Sequence, residues 1–130
     1  MSRITVHSEN APRAVGPYSQ AVSVSGSAWV YTAGQIAADP ASGQIVAGGI
    51  EEQTRRVLEN LRAVLESAGS RLEHVVKTTV FLKDMNDFSR MNRVYESFFP
   101  SHPPARSTVE VARLPKDALI EIECVAEIPA

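Results

Sequence analysis

Residues 50–82 read IEEQTRRVLENLRAVLESAGSRLEHVVKTTVFL, and their hydrophobic period changes once. From Ile50 to Ala68 the residues Ile50, Val57, Leu58, Leu61, Val64, Leu65 and Ala68 recur at helical spacing and form one apolar stripe. Glu51 and Glu52 fall in the first turn, where the helix dipole favours negative charge, and Gly69 stands where a left-handed residue ends a helix. From Val75 to Leu82 the period becomes two. Val76, Thr78, Val80 and Leu82 share one face, and Val75, Lys77, Thr79 and Phe81 share the other. A long amphipathic helix feeding a strand is the centre of the chain.

Toward the C-terminus, Asp84-Met85-Asn86-Asp87 supplies N-cap residues for a second helix. Its apolar face is Phe88, Met91, Tyr95, Phe98 and Phe99, and Pro100, Pro103 and Pro104 end it and force an extended path. Ser107 to Val111 alternates as a strand, Leu114-Pro115-Lys116-Asp117 is a turn, and Ile120, Ile122, Cys124, Ala126 and Ile128 make one face of a last strand. Toward the N-terminus, Ser19 to Ser25 alternates, Ser25-Gly26-Ser27 is turn chemistry, and Trp29-Val30-Tyr31-Thr32 reads as a strand forming a hairpin with the first. Asp39-Pro40-Ala41-Ser42-Gly43 is a loop with a type I turn signal. The order predicts an α+β domain over residues 1–130, a sheet of about five or six strands with both helices on one face.

The composition narrows the function. The chain has 130 residues, 44% hydrophobic and 22% charged, with 13 Lys+Arg against 15 Asp+Glu. A net charge of -2 and no basic stripe argue against nucleic acid as a partner. No apolar stretch approaches the roughly 20 residues that span a bilayer, so no membrane partner is expected. Met1 to Thr5 has no apolar signal-peptide core, and the single Cys124 has no internal disulfide partner, so a cytoplasmic location is expected. His7, His74 and His102 are scattered and match no metal-ligand spacing; no metal is expected.

Several residues carry possible chemistry. Arg106 follows Pro103-Pro104-Ala105 and fits either a surface arginine or a carboxylate clamp, because its planar fork matches a carboxylate with two hydrogen bonds. Glu123 and Glu127 read as a solvated outer face, and Glu121 shares it as a candidate base. Tyr18 after Gly16-Pro17 fits an edge of the core or a ligand contact. Gly34 at a strand end fits a bulge or a close backbone approach. Cys124 lies on the apolar face and reads as a small core hydrophobe.

Asn10-Ala11-Pro12, Gly16-Pro17-Tyr18-Ser19-Gln20, Ala33-Gly34-Gln35-Ile36, Val76-Lys77-Thr78-Thr79-Val80, Pro104-Ala105-Arg106-Ser107, Leu114-Pro115 and Ile120-Glu121-Ile122-Glu123 occur in that order. Together they resemble the Rid/YjgF family of reactive enamine/imine deaminases over nearly the whole chain. The resemblance implies a chorismate-mutase-like fold, a mixed sheet with two helices on one face and a further short strand near Ile4 to His7. It also implies a homotrimer with clefts between subunits. It implies hydrolysis of 2-imino acids, such as that derived from 2-aminoacrylate, to 2-keto acids and ammonia, without cofactor or metal. Carried onto this sequence, Arg106 holds the substrate carboxylate and Glu121 positions the attacking water. Tyr18, Gly34, Asn92 and Thr108 line the cleft. Many members carry Ser at the position of Ala33 and Cys at that of Thr108, so substrate range is where this chain is expected to differ. RNA cleavage or holding activity, attached to some members, is disfavoured by the charge balance, and capture of small carboxylates without turnover is the alternative.

If the last two strands formed a hairpin about Lys116-Asp117, Arg106 would pair near Glu127. Glu121 would then lie opposite Ala112, six residues and roughly 20 Å away at about 3.3 Å per residue. One small substrate does not reach both. Either the strands pair otherwise, or Arg106 and Glu121 meet across a subunit boundary; the second is the expectation.

Overall fold

The computed structural model describes residues 2–11, 13–26 and 28–129. Met1, Pro12, Ser27 and Ala130 lie outside these, and with them the proline of the Asn10-Ala11-Pro12 fragment and the last residue of the Ser25-Gly26-Ser27 turn. The strands are β1 (Ser2–Val6), β2 (Ala21–Ser25), β3 (Trp29–Tyr31), β4 (Gln35–Ile36), β5 (Val75–Leu82), β6 (Ala105–Glu110) and β7 (Ile120–Glu127). The helices are α1 (Ile50–Ser67) and α2 (Phe88–Phe98).

The main sheet runs β3-β7-β5-β6, with β4 also on β7. β5 and β6 are parallel and the remaining pairs of this sheet antiparallel, so the sheet is mixed. A parallel pair needs a crossover, and α2 supplies it. Val57, Leu58, Leu61 and Leu65 of α1 and Met91 and Tyr95 of α2 share one core with Val80, Leu82, Ile120, Ile122 and Cys124. Both helices therefore cover the same sheet face. The buried polar groups of α1 are satisfied. Thr54 Oγ1 donates to Ile50 O at 2.7 Å, and Gln53 Oε1 accepts from Leu119 N at 2.9 Å. Ala68 ends α1 and Gly69 follows at φ 85°, in the left-handed region where a Cβ is strained. No described helix is long and apolar enough to cross a membrane.

Four expectations change. The hairpin of β2 with β3 does not form. β2 pairs antiparallel with β1 over five positions, Ser2↔Ser25 to Val6↔Ala21, whereas β3 joins β7 through Trp29↔Glu127 to Tyr31↔Val125. A full ladder for β2 and a place on the main sheet for β3 satisfy more backbone groups than a three-residue hairpin. The last two strands do not pair either; β6 and β7 flank β5 on opposite sides. Val64, on the predicted stripe, is 38% exposed, whereas Leu61 and Leu65 are buried, which puts Val64 at the edge of the apolar face.

Glu127 is the fourth. It is 2% exposed rather than solvated, and its Oε2 has no partner among the described residues. Arg3 of β1 lies across this end of the sheet, donating Nη2 to Val75 O and His102 O at 3.0 and 2.7 Å. Its positive charge attracts the Glu127 carboxylate, which offsets part of the cost of burying that group.

Gly69→Ala is expected to destabilise the fold by about 1–2 kcal/mol, the cost of a left-handed residue bearing a Cβ. The nearest contact for that Cβ is an ordinary 3.7 Å, so backbone strain is the whole effect. A urea midpoint equal to that of the parent protein would contradict it.

Candidate active site around Arg106

Three segments converge on Arg106. Ser19 is buried and ties the Tyr18 loop to the approach of β6: its N–H donates to Pro104 O at 3.1 Å and its Oγ to Pro103 O at 2.5 Å. This puts the Tyr18 ring 5.8 Å from the guanidinium. The register Thr78↔Arg106 places the arginine beside a buried threonine, hence on the helix-covered face. There α2 presents Tyr95 and Phe88, with ring centres 4.8 and 5.4 Å from the guanidinium carbon. Asn92 Oδ1 accepts from Arg106 Nη1 at 2.7 Å.

The guanidinium is half-buried among three rings and one amide, and no described carboxylate pairs with it. Burial lowers its pKa, and the two tyrosines Tyr95 and Tyr18 push the other way. It stays charged, because arginine starts far above neutrality. An enclosed cation held by neutral groups retains its attraction for an anion, and cation–π contact with the rings fixes its plane. Thr108 is two residues along β6 and on the same face, and its Oγ1 is buried without a partner among the described residues. A hydroxyl left unsatisfied beside a cation is a hydrogen-bonding position for a ligand.

Tyr95 and Phe88 read as core residues in the sequence. Tyr95 is core, but its hydroxyl shares a 2.8 Å hydrogen bond with Thr78 Oγ1, which holds the ring under Arg106. The only sequence signal was position. Asn92 and Tyr95 lie three residues apart on one helix face, and Phe88 lies four before Asn92. Ser19 gave none.

Glu121 and Gly34 form a second group. A Cβ on Gly34 would fall on the Glu121 carboxylate, 2.7 Å from its Cδ. The absence of a side chain lets the carboxylate lie against the backbone. Glu121 is in register with Phe81, whose parity is opposite to that of Thr78, so it points away from the helices. Arg106 and Glu121 thus occupy opposite faces of the sheet. Two strand spacings and three residues separate them, roughly 14 Å between Cα atoms. Within one chain they do not converge; the last two strands pair otherwise than as the hairpin considered above, and the separation follows from the opposite faces instead.

Cys124 is buried against the helices, and burial raises its thiol from 9.0 to about 11. It is a core residue, as its face predicted. Among the described residues no cluster of three or more His, Cys, Asp or Glu is placed to hold a metal ion.

The family model described as Endoribonuclease L-PSP matches residues 8–128. The chain belongs to this family, the Rid/YjgF family. It is 53% identical over 126 residues to a RutC family protein of Pyrococcus abyssi, covering 97% of this chain and 98% of that protein. It is 52% identical over 125 residues to the 2-iminobutanoate/2-iminopropanoate deaminase of Salmonella typhimurium, covering 94% and 95%. The crystal structure of E. coli TdcF with bound serine superposes with a TM-score of 0.73 at 41% identity, covering 95% and 98% of the two chains.

Burial raises the Tyr95 phenol from 10.0 to about 12, so the folded chain holds its proton more tightly than the unfolded chain. Cys124 acts in the same sense. Stability from these groups is full below about pH 9 and is lost as pH rises through the range to about 12. Tyr95→Phe is expected to cost about 1–3 kcal/mol at neutral pH, by stranding the Thr78 hydroxyl, and to make the alkaline decline shallower. Urea midpoints followed from pH 8 to about 12 check both; an unchanged alkaline slope would contradict the assignment.

Proposed function

We propose that the protein is a deaminase of 2-imino acids of the 2-iminobutanoate/2-iminopropanoate class, acting in the cytoplasm as a homotrimer with residues 1–130 forming one domain. The observation that carries this is Arg106, a half-buried cation with a fixed plane and no carboxylate of its own among the described residues. Family membership and the Salmonella deaminase at 52% identity support the reaction.

Arg106 grips the substrate carboxylate with two parallel hydrogen bonds. Asn92 and the ring of Tyr18 hold the guanidinium in plane, and the Thr108 hydroxyl supplies a further hydrogen bond to the substrate. Glu121 comes from the neighbouring subunit, because its own subunit places it on the wrong face. Its carboxylate takes a proton from water as the water oxygen bonds to the imine carbon. Glu121 returns that proton to the nitrogen, giving a carbinolamine; the hydroxyl proton then passes to the nitrogen, the carbon–nitrogen bond breaks, and ammonia leaves as the keto group forms. An imine is already electrophilic, so a positioned water and a carboxylate base suffice, with no covalent nucleophile. Gly34 gives that carboxylate its room.

Capture of a small carboxylate without turnover is the competing reading, favoured by the serine bound in E. coli TdcF. Keto-acid formation, measured while a dehydratase generates 2-aminoacrylate in the same cuvette, decides between them. The protein is expected to accelerate it. Arg106→Ala is expected to lose the acceleration, and Arg106→Lys does not restore it, because an ammonium lacks the planar fork. Glu121→Ala is expected to lower turnover by about 10²–10⁴-fold while leaving carboxylate binding intact. Gly34→Ala acts in the same direction by displacing the Glu121 carboxylate, with an unchanged unfolding midpoint. No acceleration by the parent protein, with carboxylate binding retained, would establish the binding reading instead.

A further inference from the structure

The outer surface of the helical layer carries a second concentration of arginine. On α2, Arg90, Arg93, Val94 and Ser97 follow the i, i+3, i+4, i+7 spacing of one helix face, opposite the face that carries Met91, Asn92 and Tyr95. On α1, Glu51 and Arg55 lie one turn apart. These six residues line an open groove of about 410 Å³ between the helices. That volume lies in the range of small-molecule clefts, about 300–1,000 Å³.

Three guanidiniums face one carboxylate in this groove, on a chain whose overall charge is -2. Arg90 is oriented by Asp87, 2.5 Å from its Nη2, and by Glu51, 3.8 Å from its Nη1. Arg55 and Arg93 are exposed and take part in no ion pair among the described residues. Random surface decoration intersperses signs, whereas here two unpaired arginines on different helices converge beside a third held in place. Val94 forms an apolar, buried floor, so an occupant is lifted toward the guanidiniums rather than past them. Ser97 adds a hydroxyl at the far end, its Oγ anchored on Val94 O at 2.6 Å.

We infer that this groove is a second anion site, separate from the Arg106 cleft, for a small molecule bearing a diphosphate or two neighbouring phosphate groups. A single carboxylate would engage one arginine and leave the others repelling one another. Two adjacent phosphates present enough oxygens to take paired hydrogen bonds from Arg55 and Arg93 across the groove, with Arg90 closing one end. The open geometry suits a charged, hydrated ligand more than an apolar one. The inference does not depend on the proposed deaminase reaction, because the hydrogen bond and ring contacts of Arg106 go to Asn92, Tyr18, Phe88 and Tyr95, none of which lines the groove.

Calorimetric titration of the full chain with inorganic pyrophosphate at low ionic strength tests it. Saturable binding is expected, weakening as added salt screens the charges. Arg55→Ala with Arg93→Ala is expected to weaken binding by at least about tenfold. Both side chains are exposed, so the fold is retained, and an unchanged unfolding midpoint verifies it. Glu51→Gln is expected to tighten binding by removing the lining carboxylate that competes for Arg90. Arg106→Ala is expected to bind pyrophosphate as the parent does. No saturation at millimolar pyrophosphate would overturn the site. So would loss of binding in Arg106→Ala with retention in the double variant, which would place the anion in the cleft. A single-stranded RNA oligomer that competes through the same arginines more tightly than pyrophosphate would replace the small-molecule reading.

Discussion

Side chains alternate along a strand, and in this sheet the alternation keeps Arg106 and Glu121 apart. β6 and β7 flank β5, so each takes its parity from the same central strand. Arg106 sits opposite Thr78 and shares its helix-covered face; Glu121 sits opposite Phe81 and shares the open one. No rotamer change carries a side chain through a sheet. The consequence reaches from backbone register to chemistry: a cleft that uses both groups has to be built between two copies of the chain. The open face is suited to that. Tyr31 and Val109 are exposed there, beside the half-buried Phe81 and Val125.

The helix-covered face solves a different problem. A guanidinium removed from water costs free energy unless something replaces its hydration. Here the replacement is neutral: three aromatic faces and the Asn92 amide. A carboxylate in the same place would hold the arginine more firmly and spend its charge. The Tyr95–Thr78 hydrogen bond extends the support into the core, so the same phenol serves packing and site. The Ser19 contacts with Pro103 and Pro104 bring in Tyr18 from far along the chain. Core packing and the candidate site thus share side chains at this end of the sheet.

Much of this was legible in the sequence, for identifiable reasons. Helical and strand periods are local, so α1, α2, β5 and β7 were readable from Ile50 to Glu127 almost to the residue. Pairing is not local. The β2–β3 and β6–β7 hairpins failed because short separation and turn residues favour a hairpin, while the ladder that satisfies more backbone groups lay elsewhere. Glu127 misled in the same way, since its period matched an outer face, whereas Trp29 of β3 pairs with it and Arg3 lies across that end of the sheet. Arg106, Tyr18, Gly34 and Glu121 stood out from local pattern, and the family resemblance added Asn92, Thr108 and the proposed roles. Their grouping into two clusters needed the sheet. Tyr95 and Phe88 were hidden because a buried aromatic on a helix stripe looks the same whether or not it stacks on a cation.

The central claim is that Arg106 and Glu121 work from different subunits. Co-expressing Arg106→Ala and Glu121→Ala chains, each inactive alone, tests it most directly. In a cyclic trimer every mixed assembly then contains one cleft with both groups intact, so random mixing restores roughly a quarter of the parent deaminase activity. Activity no higher than that of the separate variants, from assemblies shown to contain both chains, would contradict the account.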